Sequence, residues 1–213
     1  MKLLLLGPPG AGKGTQAEKL SHKLGIPSIS TGNILRTAIK NGTPTGKLAK
    51  AYMDNGQLVP DKVIIEIAKT RLNEPDCKNG FILDGMPRTI PQAVALERSG
   101  IHFDAAIAIE VAGDELLRRM NGRWICEACG SSYHIIAAPP RQDGVCDKCM
   151  GKLIQREDDM LETVFARIRG YYQQTLPLID FYSERMVLKR IDATNLSINE
   201  VYFEMLSFLK VKE

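Results

Sequence analysis

The run Gly7-Pro8-Pro9-Gly10-Ala11-Gly12-Lys13-Gly14-Thr15 follows directly on the apolar stretch Leu3 to Leu6. Glycines at this density let a backbone fold so tightly that several N–H groups point into one concavity. A helix opening at Lys13 aims the positive end of its dipole at the same place. Lys13 adds a full, mobile charge. This is phosphate-holding chemistry: the pattern G-x-x-x-x-G-K runs from Gly7 to Lys13, between a predicted strand and a predicted helix. The lysine is followed by Gly14, with the hydroxyl displaced to Thr15. A magnesium ion travelling with the phosphates is therefore expected to rest mainly on phosphate oxygens and water.

A second constellation is Cys126-Glu127-Ala128-Cys129 and Cys146-Asp147-Lys148-Cys149, two C-x-x-C knuckles sixteen residues apart. Four soft thiolates at this spacing predict a closed, tetrahedral, structural zinc site. Reduced free thiols or a redox pair are the alternatives. The segment has almost no apolar core, so metal binding would supply its folding free energy. Trp124 and Tyr133 are its only aromatics, so the segment reads as a rigid cap and not as a nucleic-acid reader. Cys77 stands apart and is expected to be a small buried residue.

The third set is cationic. Arg36, Arg88, Arg119, Arg123, Arg156 and Arg167 fall at expected loop or hinge positions. Singly, each is an ordinary solvated side chain. Together they match what phosphoryl transfer needs: positive charge arranged around oxygens that repel one another, from a group that bonds phosphate through two parallel donors.

These residues must be carried by a scaffold. Apolar strand candidates are Lys2 to Leu6, Pro27 to Ile29, Phe81 to Leu83, Ala105 to Glu110 and Val187 to Ile191. Helices are predicted over 13–24, 31–40, 45–55, 61–73, 90–99, 114–121, 161–185 and 197–211, with a kink at Pro177 in the long one. The alternation predicts an α/β fold: a parallel sheet with helices on both faces. Two excursions break it. Residues 30–59 hold helices and no strand, and residues 122–159 hold cysteines, prolines and glycines, with Gly122 as a hinge. The division is thus a core of 1–29, 60–121 and 160–213 with two inserts.

Bulk properties narrow the class. A chain of 213 residues buries about 70% of its unfolded surface and folds without disulfides. A net charge of +3 is too weak to mark a nucleic-acid protein. The leucine run after Met1-Lys2 is too short for a secretion signal and ends at Gly7-Pro8-Pro9. No segment reaches membrane-spanning length. A cytoplasmic location follows as the expectation, with the five cysteines reduced.

Taken with four further motifs, the chain resembles the adenylate kinases, in the bacterial long-lid form with a zinc-bearing lid. The motifs are Ser30-Thr31-Gly32-Asn33-Ile34-Leu35-Arg36, Gly56-Gln57-Leu58-Val59-Pro60-Asp61, Gly80-Phe81-Ile82-Leu83-Asp84-Gly85-Met86-Pro87-Arg88-Thr89 with Gln92, and Gly122-Arg123 with Arg156-Glu157-Asp158-Asp159. The resemblance covers essentially the whole chain. It implies a P-loop core, a helical insert for the nucleoside monophosphate, a zinc-ribbon-like lid, a monomer, and the exchange of ATP and AMP with two ADP.

It also implies roles. Gly10, Ala11, Gly12, Lys13, Gly14 and Thr15 would hold the ATP phosphates, joined by Arg119 and Arg123, with Ser132, Tyr133 and Asn195 flanking the donor base and ribose. Thr31, Arg36, Gln57, Leu58, Val59, Gly85, Met86, Pro87, Arg88 and Gln92 would hold AMP, Gln92 at the adenine edge. Arg156 and Arg167 would reach phosphates across the closed site. Asp84 would orient magnesium through water, and Asp158 and Asp159 would tie lid motion to the arginines. Cys126, Cys129, Cys146 and Cys149 would hold zinc. Two positions depart from the common pattern: Asn33 stands where Asp is frequent, and is expected to cap a helix, and Met86 stands where Phe is frequent. Other nucleoside monophosphate kinases (UMP or CMP), or a GTP-preferring relative, are the near alternatives. A P-loop protein whose ribbon binds nucleic acid is the distant one.

Overall fold

The computed structural model describes residues 1–211. Five parallel strands form the central sheet: β1 (Lys2–Leu6), β2 (Ser28–Ser30), β3 (Phe81–Asp84), β4 (Ala105–Glu110) and β8 (Leu188–Asp192), in the order β2-β3-β1-β4-β8. Period-two geometry sorts their side chains. Leu4, Leu6, Leu83, Ala106 and Ala108 face one buried cluster, and Leu3, Leu5, Ile82, Ile107 and Ile109 face the other. Both faces are covered, which is why these strands read as continuous apolar runs without alternation.

Strand β1 pairs with β3 on one side and β4 on the other. The chain order therefore reverses beside β1, and the crevice beyond its carboxyl end is where such sheets bind ligands. The glycine-rich loop stands at that end. Gly7 has φ +144°, and a Cβ there would lie 2.4 Å from the Ile109 carbonyl oxygen, so a side chain has no room. Gly12 caps α1 (Lys13–Leu24) in the left-handed region at φ 95°, which L-residues rarely adopt.

The first excursion is α2 (Thr31–Lys40) and α3 (Pro44–Met53). Ser30, not Asn33, caps α2: its Oγ accepts from the Asn33 N–H at 3.4 Å. The Asn33 side chain instead accepts from Arg36 Nη2 at 2.7 Å, because the cap position lies three residues before it. Helices α4 (Asp61–Leu72) and α5 (Ile90–Arg98) follow, then α6 (Gly113–Asn121), which leads into the second excursion. There β5 (Arg123–Cys126), β6 (Ser132–His134) and β7 (Leu153–Ile154) make a small antiparallel sheet ordered β6-β5-β7. Cys126, Tyr133 and Leu153 of this sheet form a small buried cluster with Cys146 of the intervening loop.

The predicted single helix over 161–185 is in fact divided. α7 (Leu161–Gly170) runs into a π-helical turn at Tyr171–Thr175, and α8 (Leu178–Glu184) restarts after Pro177. The break thus opens upstream of the proline, where the backbone has shifted to wider hydrogen bonding. α9 (Ile198–Phe208) closes the fold with a full capping box between Ser197 and Glu200.

Candidate active site

A cavity of about 1840 Å³ lies between the sheet's carboxyl end, the first excursion and the small sheet. Lys13, Arg36, Arg88, Arg119, Arg123, Arg156 and Arg167 all line it, as do Gly10 to Thr15, Gln57, Leu58, Asp84, Gly85, Pro87, Ser132, Tyr133 and Asn195. A smaller recess adjoins it and shares Arg36, Gln57, Leu58, Gly85, Arg88 and Arg167 as a common wall. Thr31, Val59 and Gln92, all buried, line the recess and not the larger cavity. Of the predicted nucleotide-contacting residues, Met86 alone lines neither space: it is fully buried in the core behind them.

The charge in this chamber is concentrated and only partly balanced. Lys13 Nζ donates to the carbonyls of Gly7 and Pro8 at 2.8 and 2.9 Å. Burial, with Arg88, Arg167 and Arg123 nearby, lowers its pKa to about 8 against the pull of Asp84. Burial and the surrounding guanidinium groups lower Arg88 to about 10 and Arg156 to about 9. All three remain cationic at neutral pH. Arg156 Nε is buried without a partner. A pocket that strains its own cations in this way gains when an anion enters.

Three carboxylates organise the arginines. Asp159 accepts from Arg123 Nε at 2.7 Å and from Arg167 Nη1 at 2.8 Å. Asp158 pairs with Arg167 at 3.1 Å and with Arg36 at 3.6 Å. Burial acts to raise the Asp158 pKa, but Arg167, Arg36, Arg156 and Arg123 outweigh it and hold the carboxyl below its usual range. Glu115 accepts from both Arg118 and Arg119, whose hydrogen bonds hold it down to about 2. Arg119 in turn reaches the Ala193 carbonyl at 2.7 Å, beside Asn195. Glu115 carries no motif signal, although its i,i+4 spacing to Arg119 is visible in the chain.

The lid meets the rest of the molecule through its knuckles. Lys148, between Cys146 and Cys149, pairs with Glu18 on α1, and Lys40 at the end of α2 donates to the Glu127 carbonyl at 3.2 Å. At the lid's root the His134 ring packs on Gly122, where a Cβ would lie 2.6 Å from Nε2. The glycine is needed there for close approach, since its φ of −85° is open to any residue.

Two spaces fit ions. The four sulfurs of Cys126, Cys129, Cys146 and Cys149 lie within 4.8 Å of one another. Two of the pairs stand at 3.4 and 3.6 Å, close to the ~3.8 Å edge of a tetrahedron with 2.3 Å metal–sulfur bonds. The Tyr133 hydroxyl lies 3.3 Å from Cys146 Sγ and accepts from the Asp147 N–H, so this side chain serves the cluster as well as the cavity wall. Asp84, at the end of β3, has Oδ1 buried without a partner. Its other oxygen faces the first turn of α1, 4.0 Å from where a Gly14 Cβ would be. That is a fitting anchor for a hydrated cation beside the loop.

A glycine-rich cradle at a topological switch point, facing a ring of arginines in a two-ended chamber, defines a P-loop phosphotransferase. The family model for adenylate kinase matches residues 5–187. Adenylate kinases of Carboxydothermus hydrogenoformans and Archaeoglobus fulgidus are 53% and 51% identical, covering 95% and 99% of this chain and 96% and 98% of their own. That of Thermodesulfovibrio yellowstonii is 49% identical over the full length of both. The chain belongs to the adenylate kinase family.

Proposed function

We propose that this chain transfers the terminal phosphoryl group of ATP to AMP, reversibly, giving two ADP, with the two joined spaces holding one nucleotide each. The observation that carries this reading is the convergence of Lys13 and six arginines on a single chamber with a phosphate cradle at one side and an adjoining recess at the other. One nucleotide would not require so many cations, whereas two polyphosphates brought end to end would repel strongly without them.

In this reading Gly10 to Thr15 cradle the donor phosphates through backbone N–H groups, and Lys13 follows the transferred group. Arg119, Arg123, Ser132, Tyr133 and Asn195 hold the rest of the donor. Thr31, Arg36, Gln57 to Val59, Gly85, Pro87, Arg88 and Gln92 hold AMP, with Met86 supporting that wall from behind. Arg156 and Arg167 span both. The acceptor is already an ionised phosphate oxygen, so no side chain needs to remove a proton. Catalysis is positioning and charge compensation. Magnesium, bound with ATP, neutralises phosphate charge, and Asp84 would orient its water shell. Zinc is the occupant that best suits four thiolates.

Residues 30–59 and 122–159 would act as movable covers on a core of 1–29, 60–121 and 160–213, of which 212–213 lie outside the described residues. Closure would exclude the water that otherwise hydrolyses ATP. Unpaired cysteines throughout suit a reducing, cytoplasmic setting, and the reading carries a monomer. Among the described residues no helix is long and apolar enough to cross a membrane.

The test is to incubate the pure protein with Mg-ATP and each nucleoside monophosphate in turn, and with ADP alone. We expect AMP to be the best acceptor and ADP alone to yield ATP and AMP in equal amounts. Preference for UMP or CMP, or release of inorganic phosphate from ADP, would contradict the reading.

A further inference from the structure

Gln92 lines the smaller recess and is only 2% exposed. Its amide is not free to turn. The Arg88 backbone N–H donates to Oε1 at 2.7 Å, and Nε2 donates to Asp61 Oδ1 at 2.6 Å. Asp61 is fixed in its turn. It opens α4, and its other oxygen accepts from the Thr89 hydroxyl at 3.1 Å. The same hydroxyl accepts from the Gln92 N–H at 3.3 Å as the cap of α5.

A glutamine amide has two hydrogens on nitrogen and two lone pairs on oxygen. Here one of each is used inside the protein, which leaves one acceptor and one donor side by side. A carboxylate can only accept and a backbone N–H can only donate, so rotating the amide by 180° would set oxygen against oxygen and N–H against N–H. The order of acceptor and donor offered to the recess is therefore imposed from behind.

We infer that Asp61 is a specificity-determining residue, which acts by holding the Gln92 amide in the one orientation that pairs with a 6-amino purine. This rests on the reading above that Gln92 meets the base of the monophosphate. An amino group at position 6 donates and N1 accepts, the complement of the locked amide. A 6-oxo purine presents the opposite order and meets like groups. Buried polar groups left unpaired make such discrimination steep. Asp61 touches no substrate in this scheme. It is a positioning residue working through Gln92.

The experiment compares AMP with IMP, which differ at this edge alone, as acceptors from Mg-ATP. In Asp61→Asn the partner of Nε2 becomes an amide that can itself turn, so the lock loosens. We expect kcat/KM for IMP relative to AMP to rise tenfold or more, KM for AMP to rise severalfold, and KM for ATP to stay unchanged. Thr89→Val removes the second anchor of Asp61 and should move the ratio the same way by less, which keeps the test open if Asp61→Asn folds poorly. An unchanged IMP to AMP ratio in both variants, while Gln92→Leu destroys the discrimination, would overturn the lock but keep Gln92 as the base reader. An unchanged ratio and AMP KM in Gln92→Leu would instead overturn the base-reading role and the lock with it.

Discussion

Arg123 and Asp159 meet edge to edge, with Nε donating to Oδ2 at 2.7 Å and Nη2 donating to Oδ1. The Asp159 side chain is wholly inaccessible to solvent and also accepts from Arg167 of α7. One buried carboxylate thus couples an arginine of the lid sheet to an arginine of the core. Asp159→Asn leaves the largely buried Arg123 guanidinium without its counter-charge and Arg167 with Asp158 alone. Removing one member of such a set costs about 3 kcal/mol. We expect a fall of several degrees in Tm together with raised KM for both nucleotides, since Arg123 and Arg167 lose their common anchor. Thermal melts and steady-state kinetics on the same sample check this. An unchanged Tm would show that the carboxylate bears no such load.

Lys13 should trade stability against activity. Its ammonium is destabilised by burial, with a pKa near 8 against an ordinary 10.5. Below pH 8 it is charged in both folded and unfolded protein, and the penalty, about 3 kcal/mol, is present in full. Between pH 8 and 10.5 the folded protein releases its proton first, so the penalty fades and stability contributed by this site rises with pH. Lys13→Met should therefore raise the Tm of the ligand-free protein at pH 7 while lowering phosphoryl transfer by roughly a hundredfold or more. The gain in Tm should shrink as pH approaches 10.5. Melting curves at pH 7 and 10 test the sign, and wild-type turnover in the variant would remove the lysine from the mechanism.

Metal removal should act on the lid. The buried cluster of this segment is Cys126, Tyr133, Cys146 and Leu153, far too little apolar area to order it. A strong chelator should lower thermal stability and open residues 122–159 to proteolysis, with the core intact. Restoring zinc should restore both. Loss of phosphoryl transfer in a chelated protein whose lid stays protease-resistant would contradict a purely structural metal.

Tyr182 offers a test of packing away from the chemistry. Its hydroxyl is buried with no hydrogen-bond partner, and burial pushes its pKa well above the ordinary value. The ring packs edge-on to Phe103 and Phe181, with centroids 6.0 and 5.1 Å away. Tyr182→Phe keeps those contacts and deletes the stranded group, so stability should rise by about 1 kcal/mol with kinetics unchanged. A loss of that size, measured by denaturant titration, would mean that the hydroxyl is satisfied in solution.

Much of this was legible along the chain because the physics is local. The strand–loop–helix from Lys2 to Leu24, the two knuckles and the parallel core each declare themselves within a few residues. What stayed hidden depends on distant partners. The lid strands are two to four residues long, too short to show a period. Asp61 lies within a motif, but its partner Gln92 is 31 positions away, and no spacing rule links them. Met86 stands inside a run of site residues, yet its side chain is fully buried in the core cluster, a placement that the motif itself does not encode. The division of the helix over 161–185 begins at Tyr171, next to Gly170 and six residues before Pro177, where a lone glycine is too weak a signal to place a break.

The most direct measurement is a crystal structure with a dinucleotide in which two adenosines are joined through a chain of phosphates. We predict one adenosine beside Asn195 and the other in the recess at Gln92. Lys13 Nζ and the Arg88 and Arg123 guanidinium groups should lie within hydrogen-bonding distance of the phosphates between them. A complex in which those three side chains point away from the phosphates, or in which only one end of the molecule is held, would contradict a chamber built to join two nucleotides.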